Sequence, residues 1–95
     1  MYLLAWRETE IRKPGIFYRR SVSGEEIDFV VEHRGRLLPI EVKAAHSIRT
    51  AAGRPLDAFC QEFGQRAPFG VLLYDGREIF RLTQYTVAVP FSAVQ

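Results

Sequence analysis

Residues 26–43 read EIDFVVEHRGRLLPIEVK, and apolar positions recur there at every second residue on both sides of Arg34-Gly35-Arg36. A period of two predicts a pair of strands joined by a tight turn. In the first, Ile27, Phe29 and Val31 share one face, and Glu26, Asp28, Val30 and Glu32 share the other. In the second, Leu38, Ile40 and Val42 oppose Leu37, Pro39, Glu41 and Lys43. A slip of one residue would send a whole apolar set into water, so the two apolar faces must coincide. A two-residue loop then sets Asp28 across from Glu41, and a four-residue loop sets it across from Lys43. In both registers Asp28, Glu41 and Lys43 converge on one face, with directly opposed Cβ atoms about 4.5–5.5 Å apart.

The pattern on either side supplies the other elements. Residues 2–13 read as a helix with a partial stripe of Leu3 or Leu4, Trp6 or Arg7, and Ile11, ended by Pro14-Gly15. Residues 16–20 (IFYRR) read as a strand, and 21–24 (SVSG) as the turn that follows. Residues 44–54 form a small, basic loop carrying His46, Arg49 and Arg54. In residues 55–65, Leu56, Phe59, Cys60 and Phe63 fall on one helical stripe, with Pro55 suited to the first turn and Gly64 to the stop. The run FGVLLY at 69–74 suits a strand buried on both faces. Asp75-Gly76 is a hairpin signal, with 78–82 returning as a strand. Residues 85–90 give a last extended segment, and 90–95 read like the start of another helix. The order α-β-β-β-α-β-β predicts a mixed β-sheet flanked by helices, in the α/β or α+β class. The strand–helix–strand step makes a right-handed parallel crossover.

Composition narrows the class. Ninety-five residues, 47% hydrophobic and 25% charged, make one small globular domain. A net charge of +2 permits a nucleic-acid partner without requiring one. The paired arginines Arg19 and Arg20, with Arg49 and Arg54, are the candidate phosphate contacts. The single cysteine, Cys60, excludes a disulfide framework and a cysteine-rich zinc site. Its place on the helical stripe reads as a buried, inert thiol, and a cytoplasmic setting follows most simply. No apolar run is long enough to span a membrane.

Asp28, Glu41 and Lys43 carry the chemistry. Two carboxylates at cross-strand distance repel unless positive charge sits between them, and a divalent cation with oxygen ligands meets that need. Lys43 would add a fixed ammonium beside it. The same residues also describe the solvated polar face of a half-buried hairpin, with Lys43 neutralising Glu41.

An Asp on one strand, Glu-x-Lys on the next, then a helix and a buried strand resembles the PD-(D/E)XK nuclease-like superfamily. More narrowly, SGEEIDFVVEHRGRLLPIEVKA, LDAFCQEF, GVLLYDG and VAVPF look like the uncharacterised carboxy-terminal domain found on many bacterial and archaeal AAA-type ATPases. The resemblance covers about residues 16–91. It implies a restriction-endonuclease-like αβββαβ core with a site for Mg²⁺ or Mn²⁺. Asp28, Glu41 and the carbonyl of Val42 would hold the metal, and Lys43 would orient or activate water. Glu8 or Glu10 of the first helix, and Glu26, are further candidate ligands. DNA would be the substrate. Ile27 stands where the superfamily's name has Pro. No GxxxxGK[ST] phosphate loop occurs, so the resemblance makes the chain a carboxy-terminal fragment of a longer ATPase or a free-standing relative. A non-catalytic DNA-binding or regulatory module serving such an ATPase is the alternative.

Overall fold

The computed structural model describes residues 15–20 and 26–94, with side chains from 27 to 94. The helix expected over 2–13, with Glu8 and Glu10, lies outside the described residues. So do the side chains of Arg19, Arg20 and Glu26.

Six strands form one mixed sheet in the order β1-β2-β3-β4-β6-β5. They are β1 (Gly15–Arg20), β2 (Glu26–His33), β3 (Arg36–Lys43), β4 (Gly70–Tyr74), β5 (Phe80–Arg81) and β6 (Thr86–Pro90). One α-helix, α1 (Arg54–Phe63), lies between β3 and β4. The first three strands are an antiparallel meander, and β3, β4 and β6 run parallel. This is the expected mixed α/β fold, with the βββαβ order in place.

The turn between β2 and β3 has two residues. Arg34 and Gly35 both take positive φ, 54° and 81°, as a tight hairpin turn matched to strand twist requires. Phe29 pairs with Ile40 and His33 with Arg36, which is the two-residue register. The alternation fails at one place. Between the pairs Phe17↔Val30 and Arg19↔Ile27, β1 advances two residues while β2 advances three. A β-bulge at Asp28-Phe29 absorbs the extra residue. It turns Ile27 away from Phe29 and Val31 and into the same core cluster as Val30.

That cluster lies under α1, where Ile27, Val30, Leu56, Phe59, Cys60, Leu72 and Ala88 are all buried. Leu56, Phe59 and Cys60 are the predicted stripe. Pro55 falls in the first turn, and Gly64 closes the helix at φ 59°. The helix starts one residue earlier than predicted, so Arg54 belongs to its first turn and not to the basic loop. A 3-10 turn, Thr50–Gly53, precedes it. Phe29, Ile40 and Leu73 form a second cluster on the other face. Pro39 is accommodated inside a central strand. Val42 turns its N–H toward β2, so by alternation the nitrogen of Pro39 faces β4, where pairing begins only at Ile40↔Val71.

Two expectations are corrected. Asp75-Gly76 does not reverse β4 into a hairpin. The neighbouring position is held by β6, parallel to β4, and β5 pairs with β6 instead. The chain after β4 wraps around Tyr74, whose hydroxyl donates to the Glu78 carbonyl at 2.8 Å. Gly76 is packed so closely there that a Cβ would fall 2.0 Å from the Tyr74 ring. The tail after β6 is a 3-10 turn, Phe91–Val94, rather than an α-helix.

Candidate functional site

Sheet alternation decides where the site lies. Leu37 belongs to the cluster under α1, and Pro39 meets the position of Gly70 together with Leu56. Odd-numbered residues of β3 therefore face the helix, and Glu41 and Lys43 continue that row toward the carboxyl end. Glu41 is 8% exposed, a carboxylate sunk into the sheet. Lys43 sits at the rim with 45% of its side chain exposed, and its Nζ lies 3.3 Å from Glu41 Oε2. An i, i+2 pair on one strand face thus closes as an ion pair.

Asp28 reaches the same place from β2. The ladder between β2 and β3 ends at Phe29↔Ile40. Beyond it, at the bulge, the backbone partner is replaced by a side chain: Asp28 Oδ2 accepts the Val42 N–H at 2.8 Å. The Asp28 carboxylate is therefore one hydrogen bond from the peptide that joins Glu41 to Val42. A strand residue turns its N–H and C=O to the same side, so the Val42 carbonyl also faces β2 there. The Asp28 carboxylate is thus tied to the backbone of Val42, between Glu41 and Lys43, which pair with each other at the carboxyl end of β3. In open sheets with parallel strands, ligands bind outside these ends.

The loops beyond the strands add a further pair. Lys43 and Tyr74 are partners in the parallel ladder. The chains leaving them stay together, because Asp75 N–H donates to the Ala45 carbonyl at 2.9 Å. His46 Nδ1 lies 2.9 Å from the Asp75 carbonyl and 3.4 Å from Asp75 Oδ2, and both side chains are exposed. Arg49 is exposed just before the 3-10 turn, and Arg54 is exposed at the start of α1.

Chemically, the set at β3 consists of hard oxygen donors, which fit a hard cation such as Mg²⁺ or Mn²⁺ and not a thiolate-seeking metal. Among the described residues no group of three or more His, Cys, Asp or Glu side chains gathers. Cys60 takes no part: it is buried in the core, and its thiol is pushed up to about 11, first by burial and then by the charge of Asp57.

Sequence reasoning missed a second polar cluster. Asp57 Oδ1 accepts from the Thr83 hydroxyl at 2.6 Å and from the Thr86 hydroxyl at 2.8 Å. Thr83 Oγ1 in turn accepts the N–H groups of Tyr85 at 3.2 Å and Thr86 at 3.0 Å. The threonines bracket the turn between β5 and β6, and the only sequence signal is a pair of hydroxyls three residues apart. The cluster ties that turn to the first turns of α1.

The chain belongs to the family described as a domain of unknown function, DUF4143, which matches residues 2–94. No curated protein and no solved structure matches it. No helix among the described residues is long and apolar enough to cross a membrane.

Proposed function

We propose that this domain is a divalent-metal-dependent, nuclease-like phosphodiesterase acting on DNA. One observation carries the reading: a buried Glu41 ion-paired to Lys43, beside an Asp28 carboxylate hydrogen-bonded to the peptide that follows Glu41. Asp28, Glu41 and the Val42 carbonyl would hold Mg²⁺ or Mn²⁺. Such a cation, when bound, polarises a phosphoryl oxygen and offsets the charge that develops in phosphodiester hydrolysis. The Val42 N–H keeps Asp28 oriented, since a charge-assisted hydrogen bond fixes its carboxylate plane. Lys43 stands at the solvent edge of the pair, where its ammonium stabilises negative charge on an incoming phosphate or helps orient water. Arg19, Arg20, Arg49 and Arg54 would meet the DNA backbone, and Glu10 or Glu26 would complete the ligand set. The likeness to the carboxy-terminal domain of AAA-type ATPases supports an ATPase partner and a cytoplasmic setting.

Titration calorimetry with Mg²⁺ and Mn²⁺, run beside cleavage assays on plasmid and branched DNA, tests the proposal. Binding heat that disappears in Asp28→Asn, with cutting that requires Lys43, supports it. The reading fails if neither heat nor cutting is seen.

One observation favours a second reading, a non-catalytic DNA-binding or regulatory module serving an ATPase. Among the described residues no group of three or more potential metal-ligating side chains forms, and Glu41 already has a lysine counter-ion. That reading expects DNA binding that weakens with salt and survives Lys43→Ala.

A further inference from the structure

A groove of about 530 Å³ opens at the amino ends of β4 and β6, roughly 16 Å along β4 from Tyr74 and hence away from Glu41 and Lys43. Its volume falls in the range of small-molecule sites. Phe69, Arg81, Thr83, Gln84 and Tyr85 are among its lining residues, and no acidic residue lines it. Three features give it a chemical character. Phe69 keeps 46% of its surface exposed just before β4, a large apolar ring held at a rigid strand end. Arg81 Nη1 donates to the Gln84 carbonyl at 3.0 Å, which fixes the guanidinium across the turn between β5 and β6. That turn is itself pinned from behind, because Thr83 and Thr86 both donate to Asp57. The carboxylate that Thr83 meets is thus occupied by two hydroxyls.

We infer that this groove binds a nucleotide unit of single-stranded nucleic acid. Phe69 and Tyr85 supply aromatic surface for an unstacked base. Arg81 supplies a planar donor fork for the phosphate, and the Gln84 amide supplies donors and an acceptor for a base edge. A duplex hides its base faces by stacking, so the ring of Phe69 selects single strands. An apolar peptide would use the ring but would leave the fixed cation unanswered. The inference does not rest on the metal-site reading: the groove residues are distinct from Asp28, Glu41 and Lys43.

The test is fluorescence anisotropy of the full chain with a labelled thymidine homopolymer and with a duplex of equal length, in EDTA so that no divalent metal contributes. The single strand is expected to bind more tightly, and its affinity to fall with added salt. Phe69→Ala should weaken it roughly five- to 100-fold, as loss of one base–aromatic stack does. Phe69→Trp should retain affinity, with indole fluorescence quenched on binding. Arg81→Gln should lower affinity and flatten the salt dependence. Thermal unfolding followed by circular dichroism verifies that each variant is folded. The inference is overturned if single strand and duplex bind alike, if folded Phe69→Ala and Arg81→Gln bind as wild type does, or if binding is absent. Metal calorimetry is unaffected by any of these results, so failure here and failure of the metal site are separable.

Discussion

Asp57, near the amino ends of β4 and β6, and Glu41, at the carboxyl end of β3, are carboxylates drawn into the sheet from opposite ends. Asp57 is answered by two neutral hydroxyls on the turn it holds. Glu41 is answered by an ammonium that stays half in water. Neutral donors satisfy the first locally and lock a connection in place. The second keeps a half-exposed charge at a rim, with another carboxylate, Asp28, one hydrogen bond from its own peptide. A charge satisfied by rigid neutral donors stabilises a fold, whereas one balanced by an exposed cation leaves that cation available to a ligand. The comparison predicts that mutations at the two ends separate stability from activity.

The largest separation is expected at Lys43. Lys43→Ala should lower DNA cleavage by roughly 100- to 1,000-fold, the loss seen when one charge-stabilising donor is removed from a site. The same variant should cost about 1–2 kcal/mol of unfolding free energy, since the pair is solvent-screened at Lys43 but its loss takes a counter-ion from the buried Glu41. Cleavage kinetics and urea denaturation on one preparation measure both. A variant that cuts normally, or one that loses several kcal/mol, removes the contrast.

Asp57→Ala should do the reverse. It deletes the acceptor of two hydroxyl hydrogen bonds and leaves Thr86, fully buried, with a long 3.5 Å contact to the Gly53 carbonyl. The expected cost is roughly 2–4 kcal/mol of unfolding free energy. Activity per folded molecule, measured well below the melting transition, should hold. A fall in cleavage that stability does not account for would place Asp57 in the site.

How much of this was legible follows from which interactions are local. The β2–β3 hairpin could be read because its alternation and its Arg34-Gly35 turn lie within one stretch of chain. The stripe Leu56, Phe59, Cys60 and Phe63 could be read for the same reason. The choice between two hairpin registers stayed open until the positive φ at Arg34 settled it. The bulge at Asp28-Phe29 could not be read, because it is defined by pairing with β1 and not by its own residues. It is also what lets Asp28 bind Val42 in place of a ladder bond, so the site's detailed geometry was hidden with it. Asp75-Gly76 misled because a turn dipeptide reports local backbone preference only. Whether a strand can return beside β4 depends on β6, whose residues come later. The Asp57 cluster joins residues 26 and 29 positions apart, beyond any periodic signal.

The smallest effect sharpens the comparison from inside the core. Cys60 lies one helical turn beyond Asp57, and its thiol is raised from 9.0 to about 11, by burial first and by the Asp57 charge second. Above pH 9 the unfolded chain releases this proton while the folded chain keeps it. The unfolded state then binds fewer protons, so unfolding free energy must fall as pH rises. The stability is fully present below pH 9 and is lost progressively toward pH 11, by on the order of 2 kcal/mol in total. Cys60→Ala removes the thiol, so its stability should decline less over that window than the wild type's, as read by urea denaturation at matched pH values. Asp57→Asn keeps an acceptor for the threonines but removes the charge. Thiolate absorbance should then show Cys60 ionising at lower pH, with the burial contribution still in place. If the Cys60 titration does not move in Asp57→Asn, Asp57 exerts no charge effect on the core thiol, and its contrast with Glu41 loses its basis.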